Sequence, residues 1–141
     1  MNKDVLISIK GMYFEQDISA DDIEVIQAGK YYNRNGFHYV CYEEPLEGST
    51  DVISNMLKFN DTSLTVSKKG PINTSLNFTL DEKSLNNYNT PFGVLTLGVD
   101  TSSITIKEKQ NNLLLNVEYS LDVNYQFVSK CNISIDIKDK V

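Results

Sequence analysis

The chain has 141 residues, 40% hydrophobic and 23% charged, with two cysteines and a formal net charge of −6. A chain of that length buries roughly two thirds of its extended surface, so a single domain over residues 1–141 is expected, with no disulfide framework or structural metal to hold it. No apolar run reaches the roughly 18–20 residues of a membrane helix, and the excess of acids repels phosphate, so neither membrane nor nucleic acid is an expected partner.

The first element in chain order is an alternating set, Val5, Ile7 and Ile9. It follows a start with no apolar signal core, which makes a cytoplasmic location the expectation. Residues 15–51 then hold nine acids against Lys30 and Arg34, a segment charge of −7. Such a segment reads as solvated loops and charged strand edges, or as a surface for a basic partner. Asp17 to Asp22 has room for one helical turn, and no longer helix is evident. Asn35-Gly36 predicts a tight hairpin that opens into a strand over 37–44. His38, the only histidine, and Cys41 fall on opposite faces of that strand, so they cannot jointly grip a metal, and no other cluster has zinc or calcium spacing. Glu43 and Glu44 also face opposite ways. If Phe37, Tyr39 and Cys41 point inward, the inward acid is Glu43; if His38, Val40 and Tyr42 do, it is Glu44. An inward carboxylate requires a partner, which Lys68, Lys69 or a ligand could supply.

Asn60-Asp61 and Gly70-Pro71 read as further reversals. After them Ile72, Leu76, Phe78 and Leu80 alternate with Asn73, Ser75, Asn77 and Thr79. Pro45, Pro71 and Pro91 all fall between strand runs, where a missing N–H costs nothing. Past Asn111-Asn112, every odd position from Leu113 through Val117, Tyr119 and Val123 to Phe127 is apolar or aromatic, and all but one of the even positions between them are polar. That run would extend roughly 50 Å, so it has to bend or break. A turn near Val128-Ser129-Lys130 would fold it back onto Cys131, Ile133, Ile135 and Ile137. The fold class is therefore all-β: an antiparallel meander barrel of about eight to ten strands, with a two-sheet sandwich as the structural rival.

Tyr42, Glu43, Glu44, Thr74, Tyr88, Tyr119 and Tyr125 are polar or amphipathic residues on or beside strands, several on otherwise inward stripes. They are the candidates to line a pocket at the barrel mouth for a small amphipathic molecule. The same pattern also describes core packing with satisfied hydroxyls. No catalytic residue, metal or cofactor is assigned. Noncatalytic ligand binding is the leading expectation. The second is an interaction or structural module, monomeric or homodimeric, that uses the acidic surface or a strand edge. The third is an enzyme acting through a mouth carboxylate.

The succession Gly29-Lys30-Tyr31-Tyr32, Tyr42-Glu43-Glu44, Gly48, Thr50, Lys69-Gly70 and Tyr88-Asn89-Thr90-Pro91-Phe92-Gly93, with Leu95 to Val99 after it, resembles the YwiB-like family of small bacterial proteins of unknown function. The resemblance runs along essentially the whole chain. It implies a calycin or lipocalin-like barrel and brings no established activity. One position departs from it: Lys68 and Lys69 stand where the resemblance implies an arginine. Lysine lacks the planar fork that grips a carboxylate at two points, so an Arg–Glu pairing does not carry over as such.

Overall fold

The structure is a computed structural model that describes residues 3–11, 24–45, 48, 50–71, 73–90 and 93–140. Its ten strands are β1 (Asp4–Lys10), β2 (Glu24–Arg34), β3 (Phe37–Pro45), β4 (Val52–Phe59), β5 (Ser63–Lys69), β6 (Thr74–Thr79), β7 (Lys83–Thr90), β8 (Gly93–Lys109), β9 (Asn112–Val123) and β10 (Gln126–Asp139). They form one antiparallel sheet in the order β6, β5, β4, β3, β2, β1, β10, β9, β8, β7. Every neighbour is consecutive in sequence except β1 and β10, whose pairing (Ile7 opposite Ile137) joins the two ends of the chain. The curled sheet brings its outer strands, β6 and β7, together as the seam of a nearly closed barrel. The one-turn helix expected over Asp17–Asp22 lies outside the described residues.

The interior follows from the alternation. Ile7, Val117, Leu115, Ile133, Ile135, Leu57, Leu64 and Phe78 are at most 1% exposed and form one continuous core. Two bulges adjust the faces. An extra residue at Ser102 keeps Thr101, Ile104 and Ile106 all opposite inward β9 residues, and another at Val128 does the same for β10. The reversal expected at 128–130 is therefore a bulge. The turn itself lies at Asn124-Tyr125, both at positive φ (50° and 69°). A two-residue turn reverses the parity, so Phe127 stands opposite the outward Asp122, and the bulge at Val128 returns the odd positions of β10 to the interior.

The two ends of the barrel differ. At one, tight connections at Asn35-Gly36, Asn60–Thr62, Leu80–Glu82 and Gln110-Asn111 join the strands. At this end the turn between β6 and β7 is tied to both neighbours: Leu80 N donates to Thr62 O (2.9 Å) and Asp81 N to Thr101 O (2.9 Å). The connections β1–β2, β3–β4, β5–β6 and β7–β8 emerge at the other end, beside the Asn124-Tyr125 turn.

Along the seam a side chain does the work of a ladder. Asn86 of β7 is buried, and its Oδ1 accepts from the Asn77 main-chain N–H (3.1 Å) and from Asn77 Nδ2 (3.2 Å) on β6. Asn86→Ala strands that N–H at a part-buried site, a loss of about 1–3 kcal/mol. Urea denaturation with hydrogen exchange at Asn77 checks this; unchanged protection of the Asn77 amide would contradict it.

Candidate functional site

β3 turns His38, Val40, Tyr42 and Glu44 inward and Phe37, Tyr39, Cys41 and Glu43 outward. Val40 and Tyr42 are buried, while Glu43 is exposed. Glu44 is thus the inward acid. Register carries its surroundings across the sheet: Tyr42 stands opposite Asn55, Asn55 opposite Lys68, and Lys68 opposite Thr74. These four form a polar row across β3–β6 near the loop-bearing end. Asn55, only 2% exposed, donates from Nδ2 to Glu44 Oε1 (2.7 Å), and Lys68 Nζ donates to the same oxygen (3.3 Å). Side-chain exposures of 20% and 22% leave the Lys68–Glu44 pair partly desolvated. Such a pair adds little net stability, so its better use is to fix a polar handle at one place in an apolar wall.

The remaining candidates separate. Tyr88 is half-buried against the core on β7, and burial pushes its hydroxyl above the ordinary tyrosine range. Tyr119 is a core residue at 2% exposure, its ring edge-on to Phe78 with centroids 5.0 Å apart. Tyr125, expected on the inward stripe, instead projects from the β9–β10 turn at 75% exposure and lines nothing with the others. His38 lies towards the opposite end, stacked on Phe59 and 2.7 Å from the Tyr31 hydroxyl. Among the described residues, no group of three His, Cys, Asp or Glu side chains could hold a metal.

A cavity lies on the outer wall. It measures about 670 Å³ and is bordered by the outward Ala28, Lys30, Cys41, Glu43, Ser54, Met56, Ser67 and Lys69, by Asp4 and Lys140, and by Gly29, Tyr42 and Asn55. Two features of the sequence hollow the wall there. The outward rows Cys41–Met56–Ser67 and Glu43–Ser54–Lys69 include the short side chains Cys41, Ser54 and Ser67. In addition, β2 and β3 part: their pairing runs from Arg34–Phe37 to Lys30–Cys41 and stops, although β2 reaches back to Glu24 and β3 on to Pro45. Gly29 stands at the parting, where a Cβ would lie 2.5 Å from the Cys41 carbonyl oxygen and 2.7 Å from Ile7 Cδ1. Tyr42 and Asn55 belong both to the inward polar row and to this lining, so the cavity and the row adjoin through the wall. Sequence reasoning named Tyr42 and Glu43, and Lys68 or Lys69 as the partner of an inward acid, but not Ala28 or Met56. The register of β4 against β5, centred on the Asn60–Ser63 turn, was the signal that aligns Asn55 with Lys68.

A family model described as a domain of unknown function (DUF1934) matches residues 7–135. The crystal structure of the YwiB protein from Bacillus subtilis superposes with a TM-score of 0.77 at 18% identity, over 99% of this chain and 93% of that one. At that identity the likeness establishes the fold alone. Among curated proteins none matches.

Proposed function

The chain belongs to the DUF1934 family, whose function is undefined, and from that premise we propose that it binds a small amphipathic molecule without chemical turnover, in the cavity where β2 and β3 part. One observation carries this reading: a cavity of about 670 Å³ whose lining joins small outward side chains to the inward Tyr42 and Asn55. Ligand sites usually fall between about 300 and 1,000 Å³ and combine apolar walls with a few placed polar groups. Ala28, Cys41 and Met56 supply the wall. Asn55 supplies the polar group, held by Glu44, with its Oδ1 free of partners among the described residues.

Native mass spectrometry of gently purified protein tests the reading. A reproducible added mass of small-molecule size is expected, and Ala28→Trp should abolish it. Ala28 is exposed on the outer face, so the indole fills the cavity without entering the core, and the unfolding midpoint should stay unchanged. A mass kept in Ala28→Trp but lost in Glu44→Gln would move the site to the barrel mouth. Bare protein that also fails to bind any amphipath added in titration would sink the reading.

A further inference from the structure

We infer that the ligand of this cavity is an anion: an amphipathic molecule whose carboxylate or phosphate group sits among Lys30, Lys69 and Lys140, with its apolar portion on Ala28, Cys41 and Met56. This rests on the reading above and names its ligand class. The protein carries −6 overall, yet three lysines line the cavity against two acids, Asp4 and Glu43. Asp4 is already engaged. Its carboxylate accepts a hydrogen bond from Lys30, and Lys30 foremost, with Lys140 and Lys3, holds its carboxyl below the usual carboxylate range. One carboxylate thus faces several ammonium groups, and Lys69, on the far side of the cavity, has no acid opposite it in register, since its partner is Ser54. The result is a local positive surplus on a negative molecule, which focuses anions at that spot.

The parting of the strands adds a second kind of donor. In an antiparallel ladder, alternate residues bond to alternate neighbours. Tyr31 N donates to Lys3 O on the β1 side, so the even residues of β2, Ala28 and Ile26 among them, direct their main-chain groups towards β3. Beyond Lys30–Cys41, among the described residues, β3 gives these groups no ladder partner. Main-chain N–H groups at a sheet opening suit an anion, beside the lysine side chains. The carboxylate of Glu43 at the same rim excludes a second anionic group there, so a single headgroup fits better than a polyanion.

Amphipaths of one tail length and different headgroup test this by titration calorimetry below their micellar concentrations: dodecanoate, dodecyl phosphate, dodecanol and dodecyltrimethylammonium. The two anions are expected to bind at least roughly tenfold more tightly than dodecanol, with the cation weakest. Added salt should narrow the gap. In the Lys69→Glu/Lys140→Glu variant the anions should lose about tenfold while dodecanol is unaffected. Both lysines are exposed, so the variant's folding is checked by an unchanged far-ultraviolet spectrum. Equal binding of dodecanol and dodecanoate would overturn the anion inference and leave the cavity reading standing. So would tightest binding of the cation. Loss of every amphipath, with Ala28→Trp no different from the parent, would overturn both. Inorganic phosphate binding as tightly as dodecyl phosphate would remove the apolar half of the inference. Capture by anionic vesicles with no binding of the free amphipaths would overturn the soluble ligand in favour of a membrane headgroup.

Discussion

Replacing Phe78 with alanine is expected to lower the unfolding free energy by about 3–5 kcal/mol, the usual loss for a buried phenylalanine that leaves a cavity. That is a large share of the roughly 5–15 kcal/mol that holds a domain together. The site makes the upper half of the range the better expectation. Phe78 is 1% exposed and lies on β6, a strand paired on one side only. Its ring meets Tyr119 of β9 edge-on, at an interplanar angle of 70°. That contact ties an outer strand to the far wall of the barrel, where no backbone ladder can. Elsewhere on the seam the hold is Asn86 on Asn77 and the tied turn at Leu80–Glu82. A cavity at Phe78 therefore removes both packing and closure, and a free β6 cannot shift inward to fill the gap without breaking its register with β5. Urea denaturation measures the loss, and the slope of the transition adds to it: a seam that opens before global unfolding exposes surface early and lowers the apparent m-value. Phe78→Leu should restore most of the stability. A loss below about 1 kcal/mol for the alanine variant would show that the seam is held by something other than this ring.

The class of fold was legible because side-chain direction in a strand depends on nothing but parity. Val5, Ile7 and Ile9, or Leu113 to Tyr119, need no partner to announce one dry face and one wet face. The hairpin at Asn35-Gly36 was legible for an equally local reason, since both residues tolerate positive φ (54° and 81°). The turn at Asn124-Tyr125 was missed because tyrosine rarely occupies that region, here at φ 69°. Parity gave no warning, because Tyr125 and Phe127 are aromatic although exposed, and the bulge at Val128 restores the parity that the two-residue turn reverses. The polar row was half legible. Tyr42, Glu44 and Thr74 stood out as polar residues among apolar ones, and a lysine at 68 or 69 was foreseen as a partner for an inward acid. Choosing between Glu43 and Glu44 required knowing which face of β3 is inside, and that is decided by β2 and β4 rather than by β3.

The outer cavity was not legible at all, for a physical reason. A hollow on the outside of a sheet is a property of neighbours in register: Cys41 beside Met56 beside Ser67, and Glu43 beside Ser54 beside Lys69. The register of β3 on β4 passes through the connection from Pro45 to Val52, which is too long for turn chemistry to set it. The place where two strands stop pairing is no more local than that.

The family-like succession Gly29-Lys30-Tyr31-Tyr32 does contain a mark of that parting, and the second large effect is expected there. Gly29→Val should destabilise the protein by about 1–3 kcal/mol or more through overpacking, although valine is the better strand former. The two effects oppose each other, and their sizes decide the sign. The gain in strand propensity is at most about 1 kcal/mol. Against it, a Cβ alone would stand 2.5 Å from the Cys41 carbonyl oxygen and 2.7 Å from Ile7 Cδ1, contacts with a main-chain atom and with the core. Neither can yield cheaply: Cys41 is held by the last β2–β3 pair, and Ile7 is fully buried. The strands must therefore separate further, starting at Lys30–Cys41, and the cavity should widen as the fold weakens. Gly98→Ala is the control, because a Cβ there meets only the Lys83 and Asp122 side chains, at 3.1 Å and beyond. Those contacts are at least 0.4 Å longer than the two closest at Gly29 and touch no main-chain atom, so Gly98→Ala should cost less than Gly29→Val, about 1 kcal/mol or below. Thermal or urea unfolding of the two variants, with hydrogen exchange at residues 30–32, separates the outcomes. Faster exchange in Gly29→Val alone places the strain at the parting; equal behaviour of the two variants would mean that β2 and β3 are not held apart at this glycine.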